Sequence, residues 1–161
     1  MLGSNQGNRE QHLQGAITGI ARQIGPVRAC SAAYETAAWG KTDQPDFLNA
    51  AVYAETSLDA AALLEQVQDI ERQFGRQRDV VWGQRTLDID ILFLGDEVVD
   101  SPELQIPHPL LEQRRFVLTP LAEIAPALRH PVSGLSISEL LDRCADRLEV
   151  RPKMALITDL S

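Results

Sequence analysis

Few features of this sequence suit a secreted or membrane-embedded protein. Its 161 residues include only two cysteines, Cys30 and Cys144, and these have no C-x-x-C spacing, so neither a disulfide framework nor a zinc site is expected. No stretch approaches the roughly 20 apolar residues that a membrane helix needs. The N-terminus does not join a basic segment to an apolar one, as a signal peptide would. These absences predict a cytoplasmic, water-soluble protein with no membrane partner.

Positive charge is also scarce. Lysine and arginine together number 15, against 23 aspartates and glutamates, which gives a formal net charge of -8. General nucleic-acid binders instead carry clustered positive charge that displaces counterions from phosphates, so no nucleic-acid partner is expected. Several arginines are nevertheless grouped along the chain: Arg72, Arg76, Arg78 and Arg85 in one window, and Arg114 beside Arg115. Such groups suit a small polyanion, and solvated surface arginines are the alternative.

The hydrophobic pattern predicts a single domain over residues 1–161, built from interleaved helices and strands. Apolar residues recur at helical spacing over 8–24 and 58–74. Residues 27–36 and 47–56 alternate or have the composition expected of strands. Because the connections are of hairpin as well as crossover length, an α+β or α/β domain with one mixed sheet is favoured.

The segment LDIDILFLG places two aspartates within an otherwise apolar strand pattern. Alternation along a strand puts Leu87 and Ile89 on one face, with Asp88 and Asp90 side by side on the other. Paired carboxylates suit a hard cation such as Mg²⁺, which typically takes one or two carboxylates and fills its other positions with waters and phosphate oxygens. The alternative is a solvent-facing strand whose aspartates only keep an edge soluble.

The residues before this strand favour the metal site over that alternative. Arg76, Arg78 and Arg85 lie close to Trp82 and to two glycines. Arginine binds phosphate through bidentate, charge-assisted hydrogen bonds, and glycines let a loop close over a ligand. Phosphoryl transfer depends mainly on positioned cations, so the segment predicts an enzyme that uses ATP with magnesium.

Three other positions have both a functional and a packing interpretation, and a fourth has only a packing one. His108, between two prolines, either donates to a phosphate oxygen or is hydrogen-bonded within its loop. Phe47 and Asn49 share a strand face, which is either a ligand platform or a surface packed by another element. Phe116, as an isolated phenylalanine, is expected to pack in the core.

Several segments, taken in order, resemble the 6-hydroxymethyl-7,8-dihydropterin pyrophosphokinase family of folate biosynthesis. They are LGSNQGN, YETAAWG, QPDFLNAAV, IERQFGR, VWGQRTLDIDIL and IPHPLLEQRRFVLTPLAEIAP. Each segment alone is a weak signal, but the ordered set is specific and spans most of the chain. The resemblance implies a ferredoxin-like α+β sandwich, with a mainly antiparallel sheet and helices packed on it. It also implies transfer of the terminal pyrophosphate of ATP to the hydroxymethyl group of a reduced pterin, with release of AMP and the help of two Mg²⁺ ions.

The resemblance also implies roles in metal and ATP binding. Asp88 and Asp90 would hold both ions, with Asp88 nearest the incoming hydroxyl. Arg76 and Arg85 would steady the transferring group. The positions that match the family's surroundings of ATP are Gln68, Glu71, Arg78, Trp82, Arg85, Ile91, Leu104, His108 and Arg114.

On the pterin side, the resemblance changes the expectation for both phenylalanines. Phe47 and Phe116 would sandwich the pterin ring, because a flat heterocycle stacks well on aromatic faces. Thr36 and Asn49 would hydrogen-bond its edge. A mobile lid is implied at Ala38, Trp39 and Gly40. The protein is expected to act as a monomer or weak dimer.

The start of the chain departs from the family pattern. Family members have several apolar residues before L-G-S-N that form a central strand, whereas this sequence has Met1 and Leu2. The first strand is therefore expected to be truncated, and losing three buried side chains would cost roughly 5 to 9 kcal/mol. Either the chain starts upstream or another segment fills the gap, and the tail at 154–157 is one candidate.

Two rival functions fit part of the pattern. A non-catalytic nucleotide- or RNA-binding module on a ferredoxin-like sheet would show aromatics in basic surroundings, and the acidic balance and paired aspartates count against it. A degenerate regulatory relative would bind pterin and ATP without releasing AMP.

Overall fold

The computed structural model describes residues 1–37, 43–75 and 86–158. The helices and strands found in these ranges follow one another as β1 (Leu2–Ser4), α1 (Arg9–Gln23), β2 (Val27–Cys30), β3 (Ala33–Thr36), β4 (Phe47–Ala50), β5 (Val52–Ala54), α2 (Ala60–Gln73), β6 (Asp88–Ile89), β7 (Val99–Asp100), β8 (Gln105–Ile106), α3 (Arg115–Ile124), α4 (Ile137–Arg143) and β9 (Arg151–Met154). A 3₁₀ turn at Leu111–Gln113 precedes α3.

A five-stranded antiparallel sheet forms the centre of the molecule. Its strand order is β6-β1-β4-β3-β9, and the pairs β2-β5 and β7-β8 form two smaller sheets. Helices pack on both faces of the central sheet, which confirms the predicted α+β class. Within the described residues, no helix has the length and apolar character needed to span a bilayer.

Helices α1 and α2 cover one face of the sheet and form the larger core with it. Leu13 and Ile17 of α1 and Ile70 of α2 are fully buried against Leu2 and Leu48 of the strands. Both helices begin at a side-chain cap, because Asn8 accepts from the Gln11 N–H and Asp59 accepts from the Ala62 N–H. The apolar residues that recur at helical spacing in the sequence are therefore the residues that α1 and α2 contribute to this core.

The opposite face carries α3, with α4 packed on α3. Val117, Leu118 and Leu121 of α3 join Ile137 and Leu140 of α4 in a second buried cluster. On this face α3 contacts mainly β3 and β4.

The predicted strand over 47–56 is divided at Ala51. Ser31 forms hydrogen bonds with both backbone groups of Ala51. Its N–H donates to Ala51 O and its hydroxyl accepts from the Ala51 N–H, each at 2.9 Å. Strand β4 therefore joins the central sheet, while β5 pairs with β2. Leu48 still lies in the core as predicted, and Val52 packs at its margin.

The first strand and the tail lie in different parts of the sheet. Strand β1, three residues long, lies between β6 and β4, and its Leu2 is fully buried. The prediction that the tail fills a gap beside the aspartate strand is wrong, because β9 pairs with β3 at the far edge. Met154 and Leu156 instead pack at the margin of the larger core.

Candidate active site

The strand registers bring four residues into one row across the sheet. Tyr34 pairs with Asn49, Asn49 with Gly3, and Gly3 with Asp88. Directly opposed residues of antiparallel strands share a face, and this face is the one turned away from α1 and α2. Residues that are far apart in the sequence therefore lie next to one another around Gly3.

Asn49 and Thr36 form a buried polar pair next to this row. The side-chain Nδ2 of Asn49 donates to Oγ1 of Thr36 at 2.9 Å, and the two residues are only 3% and 2% exposed. Thr36 pairs in register with Phe47, so the predicted Thr36, Phe47 and Asn49 lie together on the site face. The hydrogen bond fixes the orientation of the Asn49 amide, whose Oδ1 is directed towards β1.

Gly3 is a site residue that sequence reasoning missed. A Cβ at this position would lie 3.0 Å from Oδ1 of Asn49 and 3.7 Å from the Phe47 ring. A side chain here would therefore displace the amide or the ring. The L-G-S-N segment, which contains Gly3, matched the family pattern. The pattern did not show why this position has no side chain.

Asp88 and Asp90 lie on the site face as the alternation predicts. Leu87 and Ile89 are buried on the opposite side, while both aspartates are half-buried. Strand β6 ends at Ile89, but the Asp90 N–H continues the ladder by donating to Met1 O at 2.9 Å. The two carboxylates are therefore held by backbone pairing with β1.

The surroundings of Asp90 disfavour an isolated negative charge. Burial raises the pKa of Asp90, the charge of Asp88 raises it further, and His108 and Arg114 lower it. Placing a cation between the carboxylates would reverse this balance. Two half-buried carboxylates fit Mg²⁺, which needs few protein ligands when phosphates and waters supply the rest.

His108 is oriented by its own backbone neighbours. Its Nδ1 accepts from the Leu110 N–H at 3.2 Å, and its N–H donates to Leu92 O at 3.1 Å. Burial lowers the pKa of His108, and Asp90 opposes the shift. Because Nδ1 accepts from Leu110, Nε2 carries a proton in either charge state of the ring. This nitrogen is a donor of the kind that the sequence predicted for a phosphate oxygen.

Arg114 lies within electrostatic reach of both aspartates. Burial lowers the pKa of its guanidinium, while Asp90 and Asp88 raise it. The guanidinium carbon is 5.6 Å from the centre of the Phe116 ring. Phe116 is half-buried in the first turn of α3, at the margin of the second cluster, so a predicted ATP residue and a predicted pterin residue share one helix start.

A cleft of about 310 Å³ opens beside Asp90. The wall includes the predicted metal ligand Asp90 and five predicted ATP-site residues: Gln68, Glu71, Ile91, Leu104 and His108. The structure therefore brings together these members of the predicted set. Asp88, which lies in the row with Asn49, is not part of this wall, so Asp90 borders the cleft and Asp88 lies beside it on the site face.

Glu71 differs from the other predicted ATP-site residues of the cleft because it is almost fully buried. Only 2% of its surface is exposed, and its Oε2 accepts the backbone N–H of Ile89 at 3.0 Å. The sequence predicted Glu71 near ATP but gave no sign of this bond. The bond links α2 to the Asp88–Ile89 peptide, the first of the two peptides between the aspartates.

Several predicted site residues lie outside the described ranges. They are Ala38, Trp39, Gly40, Arg76, Arg78, Trp82 and Arg85. In the ranges that are described, no group of three or more His, Cys, Asp or Glu side chains could hold a metal ion. The pair Asp88 and Asp90 is thus the metal-binding candidate that the described residues offer.

Comparison with known proteins gives the same family in two ways. The family model for 7,8-dihydro-6-hydroxymethylpterin-pyrophosphokinase (HPPK) matches residues 1–126. A 2-amino-4-hydroxy-6-hydroxymethyldihydropteridine pyrophosphokinase of Synechocystis sp. is 42% identical over 158 residues, covering 96% of this chain and 80% of its own. The protein of that name from Pseudomonas aeruginosa is 41% identical over 145 residues, covering 89% of this chain and 88% of its own.

Solved structures show the same fold at lower identity. A crystal structure of wild-type Plasmodium falciparum HPPK-DHPS with pterin and p-hydroxybenzoate has a TM-score of 0.72 at 18% identity, and the match covers 88% of this chain. The chain spans 42% of the length of that longer protein. The likeness confirms the ferredoxin-like α+β fold that the sequence predicted.

Proposed function

Because this chain belongs to the 7,8-dihydro-6-hydroxymethylpterin-pyrophosphokinase family, we propose that it transfers pyrophosphate from ATP to the hydroxymethyl group of 6-hydroxymethyl-7,8-dihydropterin. The products are AMP and the diphosphorylated pterin, and the reaction belongs to folate biosynthesis. The match covers residues 1–126, and relatives named as pyrophosphokinases are more than 40% identical across most of the chain. These names do not favour a non-catalytic binding module.

The arrangement of Asp88 and Asp90 between the cleft and the row that contains Asn49 carries the proposal. Asp90 lines the cleft with Gln68, Leu104 and His108. Asp88 is in the row that contains Asn49. A phosphate chain that enters from the cleft and an alcohol held beside Asn49 would therefore meet at the aspartates, which supplies the orientation that transfer between two bound substrates requires.

The reaction forms one P–O bond and breaks another. The pterin hydroxyl oxygen attacks the β-phosphorus of ATP, and the bond from that phosphorus to the oxygen bridging to the α-phosphate breaks. AMP leaves with the bridging oxygen, and the hydroxyl proton passes to solvent. Alignment and charge stabilisation dominate such a transfer, so no strong general base is required.

We further propose that Asp88 and Asp90 hold two Mg²⁺ ions together with the triphosphate. When bound, Mg²⁺ neutralises the charge that spreads over the transferring phosphate oxygens. The two carboxylates supply the oxygen ligands that this cation prefers. Burial first, and then the charge of Asp88, raise the pKa of Asp90, and a cation beside the two carboxylates would offset both effects.

Residues around the cleft would bind the nucleotide. Nε2 of His108 would donate to a phosphate oxygen and Arg114 would add a fixed positive charge, with Arg76 and Arg85 steadying the transferring group. Gln68, Arg78, Trp82, Ile91 and Leu104 complete the proposed ATP site. Glu71, which the resemblance also placed there, accepts the Ile89 N–H behind the wall of the cleft.

The pterin would lie against the site face of β4. Phe47 and Phe116 would stack on its ring, and Asn49 with Thr36 would hydrogen-bond its edge, since their bond fixes the direction of the amide. A lid at Ala38, Trp39 and Gly40 would exclude water during transfer. We propose that the protein works in the cytoplasm as a monomer or weak dimer on these small molecules, and not on nucleic acid.

A product assay tests the proposed function. The protein is incubated with ATP, Mg²⁺ and hydroxymethyldihydropterin, and nucleotides and pterins are separated by chromatography. AMP and diphosphorylated pterin should appear in equal amounts, and both should be absent when Mg²⁺ is chelated. Formation of ADP instead of AMP, or pterin binding without any product, would reject the assignment.

A further inference from the structure

The backbone N–H of Ile89 points away from the sheet. The neighbouring Asp90 N–H donates to Met1 O, on the β1 side of the strand. Because successive N–H groups of a strand point in opposite directions, the N–H of Ile89 is directed to the outer side. In the strand order of the described residues, β6 is the edge strand, so no neighbouring strand accepts this hydrogen bond there.

Glu71 of α2 supplies the acceptor that a neighbouring strand would otherwise provide. Its Oε2 is 3.0 Å from the Ile89 nitrogen, and the contact is buried. A hydrogen bond to a carboxylate is shorter and stronger than one between neutral groups, and it is worth more where water is excluded. The contact therefore restrains the Asp88–Ile89 peptide, the first of the two peptides that join Asp88 to Asp90.

Restraining this peptide also restrains the separation and direction of the two carboxylates. Metal ligands need their supporting contacts, since a small change in ligand direction weakens coordination. Because Glu71 is only 2% exposed, its carboxylate does not extend far into the cleft. Its neighbour one turn earlier, Gln68, lines the same cleft and is half-buried.

We propose that Glu71 is a positioning residue for the metal-binding pair, which holds the Ile89 peptide so that Asp88 and Asp90 keep the geometry for Mg²⁺. The role rests on the proposed function, since it concerns the ions of that reaction. It requires a hydrogen-bond acceptor at the end of the side chain more than it requires a negative charge. Glutamine should therefore substitute for Glu71, whereas methionine, which has a similar length, should not.

The test compares Glu71→Gln and Glu71→Met with Glu65→Met, which removes an exposed acid from the same helix. Mn²⁺ replaces Mg²⁺, and its binding to protein saturated with a non-reactive ATP analogue is followed by electron paramagnetic resonance. Glu71→Met should weaken Mn²⁺ binding by about tenfold or more, the range found for supporting contacts at metal sites. It should also lower kcat with little change in KM for ATP, while Glu71→Gln and Glu65→Met stay close to the wild type.

Two results would overturn the proposal. Loss of affinity for the ATP analogue in both Glu71 variants, with Mn²⁺ binding intact, would make Glu71 a nucleotide contact. A lower melting temperature in Glu71→Met with unchanged Mn²⁺ binding and kcat would make it only a stabilising residue.

The Ile89 amide gives a measurement that does not depend on Glu71→Met folding or on turnover. In the wild type, its proton should resonate downfield and exchange slowly, and in Glu71→Gln it should move upfield but stay protected. Rapid exchange of this amide in the wild type would contradict the proposal. If the wild type and Glu65→Met show no AMP formation, the proposed function fails, while Mn²⁺ binding and the Ile89 amide still decide the role of Glu71.

Discussion

At the scale of single residues, the proposed pterin side of the site depends on Gly3, which has no side chain. Asn49 can keep its bond to Thr36 and still direct Oδ1 over β1 because the residue beneath it is Gly3. The backbone of Gly3 is also paired on both sides, with Asn49 and with Asp88. Its surroundings therefore cannot move away easily to admit a larger residue.

Gly3→Ala should weaken pterin binding while ATP binding is largely kept. The new Cβ would press on Oδ1 of Asn49, and overpacking of this kind costs about 1 to 3 kcal/mol of stability. We expect the Kd for the pterin, measured by calorimetry, to rise by about tenfold, or about 1.4 kcal/mol. In an Asn49→Ala background the same change should have much less effect, and equal effects in both backgrounds would contradict the role of Asn49.

At the scale of secondary structure, the start of α3 controls two proposed binding residues at once. The helix has no cap from its own N-cap side chain, and the Arg115 N–H instead donates to Oδ2 of Asp146 at 3.0 Å. The other oxygen of Asp146 accepts from the Leu148 N–H at 2.9 Å. The segment after α4 thus provides the cap for the turn that carries Arg114 and Phe116.

Asp146→Ala should reduce both stability and substrate binding. Loss of a capping acceptor costs about 1 kcal/mol, which urea unfolding would measure. Because Arg114 and Phe116 flank the affected peptide, KM should rise for ATP and for the pterin, and Asp146→Asn should show a smaller effect on both. If stability falls and both KM values remain unchanged, the start of α3 does not depend on this cap for function.

The sequence predicted elements well where their signals are local. Helices over 8–24 and 58–74 appear as α1 and α2, since periodicity and caps lie within each segment. The break at Ala51 depends on Ser31, 20 residues earlier, and the bond from Ile89 to Glu71 spans 18 residues. Contacts of this kind come from the tertiary fold, so the aspartates were found from their spacing while their supporting groups were not.

At the scale of the whole molecule, residues beyond the family match hold the fold together. The match covers residues 1–126, yet β9 completes the sheet and Gln14 of α1 bonds both backbone groups of Ile157. Glu35 on β3 has ion pairs to Arg9 at 2.9 Å and Lys153 at 3.2 Å. The start of α1, the sheet and the tail are thereby joined at one carboxylate.

The Glu35 carboxylate should make the free energy of unfolding depend on pH in the acidic range. Hydrogen bonds from Arg9 and then Lys153 lower the pKa of Glu35 below its usual value of 4.5. A lowered folded pKa means that the stabilisation is present above the unfolded pKa and is lost as the pH falls through the folded one. Glu35→Gln should therefore cost about 1 kcal/mol at neutral pH, a typical value for accessible ion pairs.

Urea unfolding at several pH values would measure this contribution. The difference between wild type and Glu35→Gln should shrink as the pH falls from the ordinary pKa of glutamate through the lowered pKa of Glu35. High salt should shrink the difference at neutral pH. A difference that is constant from neutral to acidic pH would contradict the ionic account.

The central claim is that Asp88 and Asp90 lie between the cleft proposed for ATP and the row that contains Asn49, and that they hold the metal for pyrophosphate transfer. The most direct measurement is the rate of AMP formation by Asp90→Ala, beside Asp96→Ala as a control at an exposed aspartate. Removing a metal ligand should lower kcat/KM by at least about 10²-fold, because metal stabilisation is worth several kcal/mol. Circular dichroism should show the native fold in both variants, and Asp96→Ala should keep wild-type turnover. Undiminished AMP formation by Asp90→Ala would contradict the account.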